Sequence, residues 1–151
     1  MTCAVRKDYL IVAAVTLLIP ALALYIYSSS KVQEPGGWLF TIQIHENTTE
    51  RFKVLVRDPA KANELRQLMK GEKIGHVNGE LREGDGGFNK PWSWHLDPDT
   101  IEVVEVSIEL CDGTPSFVER ELNYWLNVVK RFCPWGARVV AEELWTGSYQ
   151  P

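Results

Sequence analysis

The most restrictive feature of this chain is an apolar run near its amino terminus. Residues 9–30 carry no charge, and Leu10–Tyr27 within them is almost wholly apolar. A helix that spans a bilayer needs roughly 20 such residues, since the hydrocarbon core is about 30 Å thick and each helical residue rises about 1.5 Å. The run therefore predicts a transmembrane anchor. Arg6 and Lys7 precede it, and positive charge favours the cytoplasmic side, so residues 1–8 are predicted to be a cytoplasmic tail.

A cleaved signal peptide is the main alternative to an anchor. Ala21-Leu22-Ala23 fits the small-residue pattern of a cleavage site, but cleavage there would leave Leu24–Tyr27 as an apolar new terminus. Residues 28–30 offer a later and weaker site. A buried helix of a soluble domain is a third alternative, which the absence of a polar face makes unusual. Both leading interpretations place residues 31–151 outside the cytoplasm, either tethered to a membrane or secreted.

Charge and length describe the rest of the chain as one acidic domain. Residues 31–151 carry 14 Lys and Arg against 19 Asp and Glu, and the basic residues form no block. No nucleic acid partner is expected, because phosphate binding needs clustered cations. A chain of 151 residues suits a single domain. Composition predicts a linker over residues 31–37, the domain over 38–145, and a short tail over 146–151.

Five segments of the domain predict strands. Their residues are rich in β-formers and alternate between apolar and polar, and Ile101–Cys111 is the strongest of them because β-branched side chains recur along it. The first two segments are joined by a polar turn and predict a hairpin. The five segments are Trp38–His45, Phe52–Val56, His76–Leu81, Trp92–Leu96 and Ile101–Cys111.

Two segments predict helices. Asp58-Pro59 begins the first, because Asp caps free N–H groups and Pro suits the first helical position, and Gly71 ends it. Thr114-Pro115 begins the second, whose apolar stripe reaches Phe132. Ala137–Leu144 fits a last strand or a short helix. The predicted fold class is α+β: an antiparallel sheet of about five strands with two helices on one face, preceded by a transmembrane helix.

Three motifs in the second half of the chain carry a resemblance to a known domain family. They are Asn89–Pro98 (NKPWSWHLDP), Glu109–Asp112 (ELCD) and Cys133–Trp135 (CPW), and Phe52–Gly71 upstream also fits. Over residues 38–144 the chain resembles the family named after the amino-terminal domain of a calmodulin-binding protein of slime moulds. The resemblance implies a small domain with no established reaction.

The resemblance does not carry calmodulin binding with it. A calmodulin target is a basic amphipathic helix in the cytosol. The best candidate, Tyr124–Phe132, has only Lys130 and Arg131 as basic residues, and the predicted topology places it outside. Calmodulin is therefore not expected as a partner.

Cys111 and Cys133 are candidates for a disulfide. Two cysteines in one small domain often pair in an oxidising compartment, and the chain between them can return to close the loop. Two buried free thiols are the alternative. Cys3 is predicted to lie on the cytoplasmic side, where it cannot join them.

His95, Asp97 and Asp112 are weak candidates for metal ligands, with Glu109 as a further option. Imidazole with carboxylates suits zinc or a related ion, and His95 and Asp97 project to one face of a strand. The structural alternative is that His95 donates to a carbonyl while Asp97 caps the turn at Pro98. The spacing matches no known metal signature, and no cofactor is expected.

Catalytic signatures are missing from the sequence. It contains no G-x-S-x-G, H-E-x-x-H or P-loop motif. An enzyme is therefore the less favoured class, and the alternative is a small metal- or cysteine-dependent enzyme that uses the region of His95, Asp97 and Asp112.

Tryptophans and a sequon complete the candidate sites. Trp92, Trp94 and Trp135 either line a pocket for a flat ligand or pack in the core, and their large area favours the core for at least two of them. Asn47-Thr48-Thr49 is an N-glycosylation sequon on a predicted turn.

The sequence thus predicts a membrane-anchored, extracytoplasmic binding or structural module, whose functional surface is the Trp92–Pro98 region. The candidate ligand-binding residues are Trp92, Trp94, His95, Asp97, Asp112 and Trp135.

Overall fold

The computed structural model of the protein describes residues 36–45 and 47–151. The predicted cytoplasmic tail, the predicted transmembrane helix and most of the predicted linker lie outside the described residues. Within the described ranges, no helix is both long and apolar enough to cross a bilayer.

The domain has the predicted α+β composition, with antiparallel strand pairing throughout its described part. Short 3₁₀ turns lie at Pro98–Thr100 and Glu109–Cys111, and a π-helical turn spans Trp125–Val129. The strands are β1 (Gly37–Ile44), β2 (Asn47–Val56), β3 (His76–Glu83), β4 (Trp94–Leu96), β5 (Glu102–Val104), β6 (Arg131–Phe132) and β7 (Ala137–Trp145), and the helices are α1 (Pro59–Lys70), α2 (Pro115–Arg120) and α3 (Leu122–Tyr124).

The first sheet has three strands in the order β2-β1-β7. The hairpin β1–β2 forms as predicted, and β7 pairs with β1 from Gly37 opposite Trp145 to Ile44 opposite Ala137. This pairing along the whole of β1 decides between the two alternatives for Ala137–Leu144 in favour of a strand.

Helix α1 begins and ends at the predicted residues. The carboxylate of Asp58 accepts a hydrogen bond from the Ala60 N–H at 2.8 Å, and Pro59 occupies the first turn. Gly71 follows the helix with φ of 73°, a left-handed conformation that glycine adopts without a steric penalty. Ala62 and Leu65 are fully buried, so this helix covers the core with one face.

The prediction of one sheet of about five strands is wrong in its strand arrangement. A second sheet of four strands exists, and each partner of β3 takes a different stretch of it. Strand β5 pairs with His76–Asn78, β6 with Gly79–Glu80 and β4 with Leu81–Glu83. Strands this short leave almost no periodic signal in a sequence, which is why their arrangement was not predicted.

The strongest predicted strand is the least accurate one. Of Ile101–Cys111, only Glu102–Val104 pairs in the sheet. The chain bends at Glu105, runs on without regular structure, and ends in the 3₁₀ turn that contains Cys111. Local β-propensity reports side chains that suit a sheet, but a ladder also needs a partner strand.

The second predicted helix is broken into shorter pieces. Helix α2 stops at Glu121, whose φ of −110° and ψ of 33° leave the helical region. The π-helical turn after α3 ends at Lys130 in a left-handed conformation, with φ of 65°. Phe132, predicted to end this helix, lies in β6 instead, where it packs in the core.

Aromatic side chains dominate a core that joins the two sheets to α1. Its largest fully buried members are Trp94, Trp125, Phe40, Phe52 and Phe132. A smaller cluster on the other side of β1 contains Leu39, Leu55 and Phe88, with the half-buried Trp145 and Tyr149 packed against it. Successive side chains of a strand point to opposite faces, so β1 contributes to both clusters.

Candidate functional site

The Trp92–Pro98 motif forms the aromatic centre of the domain. Trp94 is 0% exposed, and its ring lies 5.7 Å from that of Phe52, 5.4 Å from that of Phe132 and 6.2 Å from that of Trp92. Trp92 is only half-buried, and its indole N–H donates to the Arg51 carbonyl at 2.6 Å. The two tryptophans therefore join β4 to the hairpin β1–β2.

Asn89, the first residue of this motif, is a buried connector. Its side-chain N–H donates to the Trp94 carbonyl at 2.7 Å, and its side-chain oxygen accepts from the Lys53 N–H at 2.7 Å. A fully buried amide is tolerated in the core when both of its polar atoms have partners. Asn89 thus fixes the loop before β4 against β2.

His95 is fully buried, and both of its ring nitrogens have partners. Nδ1 donates to the Gly84 carbonyl at 2.7 Å, so Nε2 of the neutral ring accepts from the Tyr149 hydroxyl at 3.0 Å. Phe88 packs edge-on against the imidazole. Burial lowers the pKa of His95 below its usual value, although the Gly84 carbonyl and the Asp97 carboxylate oppose this. This is the predicted structural role, with the C-terminal segment supplying the second partner.

Asp97 caps the turn that follows β4, as the structural alternative predicted. Its carboxylate accepts from the Asp99 N–H at 3.1 Å and from the Arg82 guanidinium at 2.9 Å. Burial by itself raises the pKa of Asp97, but these two hydrogen bonds outweigh it, and the pKa lies below its usual value.

Asp112 lies in a different part of the domain. One of its oxygens accepts from the Gly113 N–H and the Trp135 N–H, each at 2.9 Å, and its charge acts on His76 rather than on His95. In the described part of the chain, no group of three or more His, Cys, Asp or Glu side chains is arranged for a metal. His95, Asp97 and Asp112 thus each have separate partners.

A disulfide joins Cys111 to Cys133, which confirms the predicted pair. Their Cα atoms are 5.2 Å apart, and the Cys133 N–H donates to the Cys111 carbonyl at 2.8 Å. Both cysteines are buried. The bond fixes the end of the irregular segment that leaves β5 against the start of the segment that leads to β7.

A surface cleft that the sequence analysis missed opens beside this segment. Strands β3 and β5 diverge beyond His76, and the space between them is a pocket of about 370 Å³. We call it the β3–β5 cleft; its lining residues are Ile74, Gly75, His76, Glu105, Val106, Ser107 and Trp135.

Three side chains form the polar floor of the β3–β5 cleft. The Trp135 indole N–H donates to the Ser107 Oγ at 2.7 Å, and the same Oγ lies 2.7 Å from His76 Nε2. Burial lowers the pKa of His76 below its usual value, with the Asp112 carboxylate opposing this. A neutral His76 accepts the Ser107 hydroxyl proton, so the three groups form one connected hydrogen-bond chain.

Apolar side chains surround this polar floor and are freely exposed. Val106 is 86% exposed, Ile74 84% and Ile108 67%, the highest values among the large apolar side chains of the described residues. Trp135 is 48% exposed, so of the predicted ligand-binding residues it is the one that lines the cleft. Grouped apolar exposure around a few convergent polar atoms is typical of a binding surface.

The sequence carried one unused signal for the cleft. Val106, Ile108 and Leu110 alternate with polar residues, and we predicted that they lie in a strand with one buried face. In the structure all three are exposed because the segment has no partner strand. An alternating segment between the end of a sheet and a disulfide is the pattern that sequence reasoning missed.

The buried histidines predict a domain that loses stability in acid. An unfolded histidine titrates near about pH 6.5, whereas burial lowers the pKa of both His76 and His95, so below about pH 6.5 the unfolded chain binds more protons. We expect the free energy of unfolding to fall as pH is lowered from 7.5 to 5, by at most about 1.4 kcal/mol per pH unit for each proton. Urea unfolding at each pH measures this.

A His95→Phe variant is the control for the pH dependence. It keeps a ring in the site but removes the titrating group, so we expect lower stability at pH 7.5 and a shallower loss towards pH 5. An unchanged slope in this variant would show that His95 does not contribute to the acid sensitivity.

Two packed antiparallel sheets with an aromatic core and a disulfide that anchors an exposed segment define a small disulfide-bonded α+β domain. The chain belongs to the family of the N-terminal domain of the slime-mould calmodulin-binding protein, whose model matches residues 38–145, and the resemblance seen in the sequence is confirmed. No curated protein and no solved structure matches the chain significantly.

Proposed function

We propose that this protein is a membrane-anchored binding module whose domain lies outside the cytoplasm and binds its partner through the β3–β5 cleft. The observation that carries the proposal is the grouping of the most exposed apolar side chains of the described residues around the hydrogen-bonded floor of His76, Ser107 and Trp135. Isolated exposed apolar residues are common, but a rimmed group of them marks an interaction site.

Sequence and covalent structure support the location. Leu10–Tyr27 is long and apolar enough to cross a bilayer, and Arg6 and Lys7 favour a cytoplasmic amino terminus. The disulfide between Cys111 and Cys133 is the bond expected in an oxidising compartment. These features do not depend on each other and favour the same side of the membrane.

The position of the cleft within the domain supports binding of a partner rather than contact with the anchoring bilayer. Gly36 donates to the Trp145 carbonyl at one end of the first sheet, where the chain enters the domain. Ala137, which follows the cleft residue Trp135 closely, pairs with Ile44 at the other end of β1. A strand of this length spans roughly 23 Å, so the cleft faces away from the entry point.

The location is tested by expressing the full chain in eukaryotic cells and treating sealed membrane vesicles with protease. We expect the domain to be protected until detergent is added, and to stay with the membrane after alkaline extraction. Asn47 is exposed, and its side-chain oxygen accepts from the Thr49 hydroxyl at 2.7 Å, so the sequon is accessible. An endoglycosidase-sensitive mass increase that Asn47→Gln abolishes would support the same topology. Digestion of the domain in intact vesicles would contradict it.

The use of the cleft is tested by placing a photo-crosslinking residue at position 106 or, as a matched control, at position 144. Leu144 is 65% exposed but pairs opposite Trp38 at the entry end of β1. In intact cells that produce the protein, we expect adducts from position 106 that excess unlabelled protein suppresses, and none from position 144. Equal labelling from both positions would refute a binding role for the cleft.

A further inference from the structure

We infer that the partner presents an extended polypeptide segment that adds a strand beside residues 105–108, with apolar and basic side chains alternating along it. This inference rests on the proposed function and names the chemical class of the ligand. Strand addition to an exposed sheet edge is a general mode of peptide recognition, in which backbone hydrogen bonds supply affinity and side-chain contacts supply specificity.

The conflict between sequence and structure at Ile101–Cys111 is the first step. Its β-branched side chains favour a strand, yet only Glu102–Val104 pairs in the isolated domain. Places where local preference and the folded structure disagree are expected at functional sites. A partner strand would let residues 105–108 adopt the conformation that their side chains favour.

The backbone of this segment is available for pairing. In the described part of the chain, the N–H and C=O groups of Val106 and Ser107 form no hydrogen bond to another residue. Ile108 is already extended, with φ of −77° and ψ of 142°. Strand β5 pairs only with β3 and lies at the edge of its sheet, so a free edge continues into this segment.

Both ends of the segment are fixed although its middle is unpaired. Glu102–Val104 holds the first end in the sheet, and the disulfide at Cys111 holds the second. The hydrogen bond from the Trp135 indole to Ser107 holds the middle against the floor of the cleft. A segment restrained in this way loses little conformational entropy when a partner binds.

Charge identifies the partner's side chains. Glu105 and Glu109 lie on this segment, and neither forms an ion pair within the described residues. Residues 91–119 contain no Lys or Arg. Opposite charges on paired strands stabilise the pairing, and like charges directly opposite destabilise it. Basic side chains therefore suit the partner strand, and a second copy of this segment would bring carboxylates together.

The side chain that enters the cleft is best a long cationic one. Glu105 supplies a carboxylate, the Trp135 ring supplies an aromatic face, and Ile74 and Val106 supply apolar walls of the same pocket. Lysine and arginine combine an apolar stem with a charged end that aromatic faces attract. The volume of about 370 Å³ accommodates one such side chain.

The test uses the full chain in nanodiscs of zwitterionic lipid and an eight-residue synthetic peptide of alternating valine and arginine. We expect saturable binding by calorimetry and slower amide hydrogen exchange at residues 105–108. The double variant Glu105→Gln, Glu109→Gln should weaken binding roughly fivefold at low salt, whereas Leu144→Ser should leave it unchanged. A valine–glutamate peptide and a valine–arginine peptide with alternate N-methylated amides should not bind.

Each other outcome overturns the inference. Equal binding of the N-methylated peptide would exclude strand addition, and equal binding of the glutamate peptide would exclude charge recognition. Absence of binding, or self-association of the chain that Val106→Asp abolishes, would also overturn it. Because the proposed function is tested separately by crosslinking from position 106, adducts there without peptide binding would retain the cleft as a binding site and reject only the extended basic ligand.

Discussion

Replacing Trp94 by alanine is expected to destabilise the domain by about 3–5 kcal/mol, which is the range for removing a large aromatic side chain from a packed core. Trp94 is 0% exposed and contacts the rings of Phe52, Trp92 and Phe132, which come from three different segments of the chain. Its removal leaves a cavity at the point where the two sheets meet. Urea or guanidinium unfolding followed by circular dichroism measures the loss.

Trp135→Ala is the matched control for this prediction. The same side chain is removed, but Trp135 is 48% exposed and its indole contacts Ser107 at the surface. We expect a loss below about 1 kcal/mol, as is usual for surface substitutions. If both variants were destabilised equally, the assignment of Trp94 to the core and of Trp135 to the cleft would be refuted.

Removing the disulfide is expected to destabilise the domain by about 3 kcal/mol, mainly because the unfolded chain regains the freedom of the loop between the two cysteines. Cys111 and Cys133 are 22 residues apart, and both are buried. The double variant Cys111→Ser, Cys133→Ser, compared with the oxidised wild-type protein in chemical unfolding, measures the effect.

The disulfide prediction also has a local readout. Because Cys111 anchors the segment beside the cleft, we expect faster hydrogen exchange at residues 105–110 in the double variant than in the wild-type protein. Treating the native wild-type protein with a thiol reagent provides the control: labelling of Cys111 or Cys133 without prior reduction would contradict the bond. Unchanged exchange at 105–110 would show that the disulfide does not restrain the segment.

The motif that most clearly marks the family serves mainly to hold the domain together. Asn89, Trp94 and His95 are fully buried, and each connects its loop or strand to a distant segment through a hydrogen bond or a ring contact. The family shared by this chain is therefore defined by a packing arrangement. Function is proposed at the β3–β5 cleft, to which the family motifs contribute Trp135.

Elements with strong local signals were predicted correctly. Helix α1 followed from Asp58-Pro59 and Gly71, since caps and helix-ending residues act within one turn of the chain. The hairpin β1–β2 followed from alternation on both sides of a short polar turn. The roles of His95 and Asp97 in local turns were weighed correctly for the same reason, because a carbonyl or N–H a few residues away is within reach.

Elements that depend on distant partners were predicted less well. The segment from Glu105 to Cys111 has the composition of a strand, but no strand lies beside it in the domain. Phe132 continues a helical stripe in the sequence, yet the π-helical turn and the left-handed Lys130 return the chain to pair with β3. The partner of His95, Tyr149, is 54 residues away in the sequence, and no local pattern identifies it.

The sequence by itself determined the α+β class, helix α1, the first hairpin, the cysteine pair and the family, because each depends on neighbouring residues or on a fixed motif. Only the tertiary structure decided that the strands form two sheets, that Trp94 is core while Trp135 is surface, and that residues 105–108 border an open cleft. The physical reason is that burial and strand pairing are set by contacts between segments far apart in the chain, and a side chain's own preference does not specify whether such a contact exists.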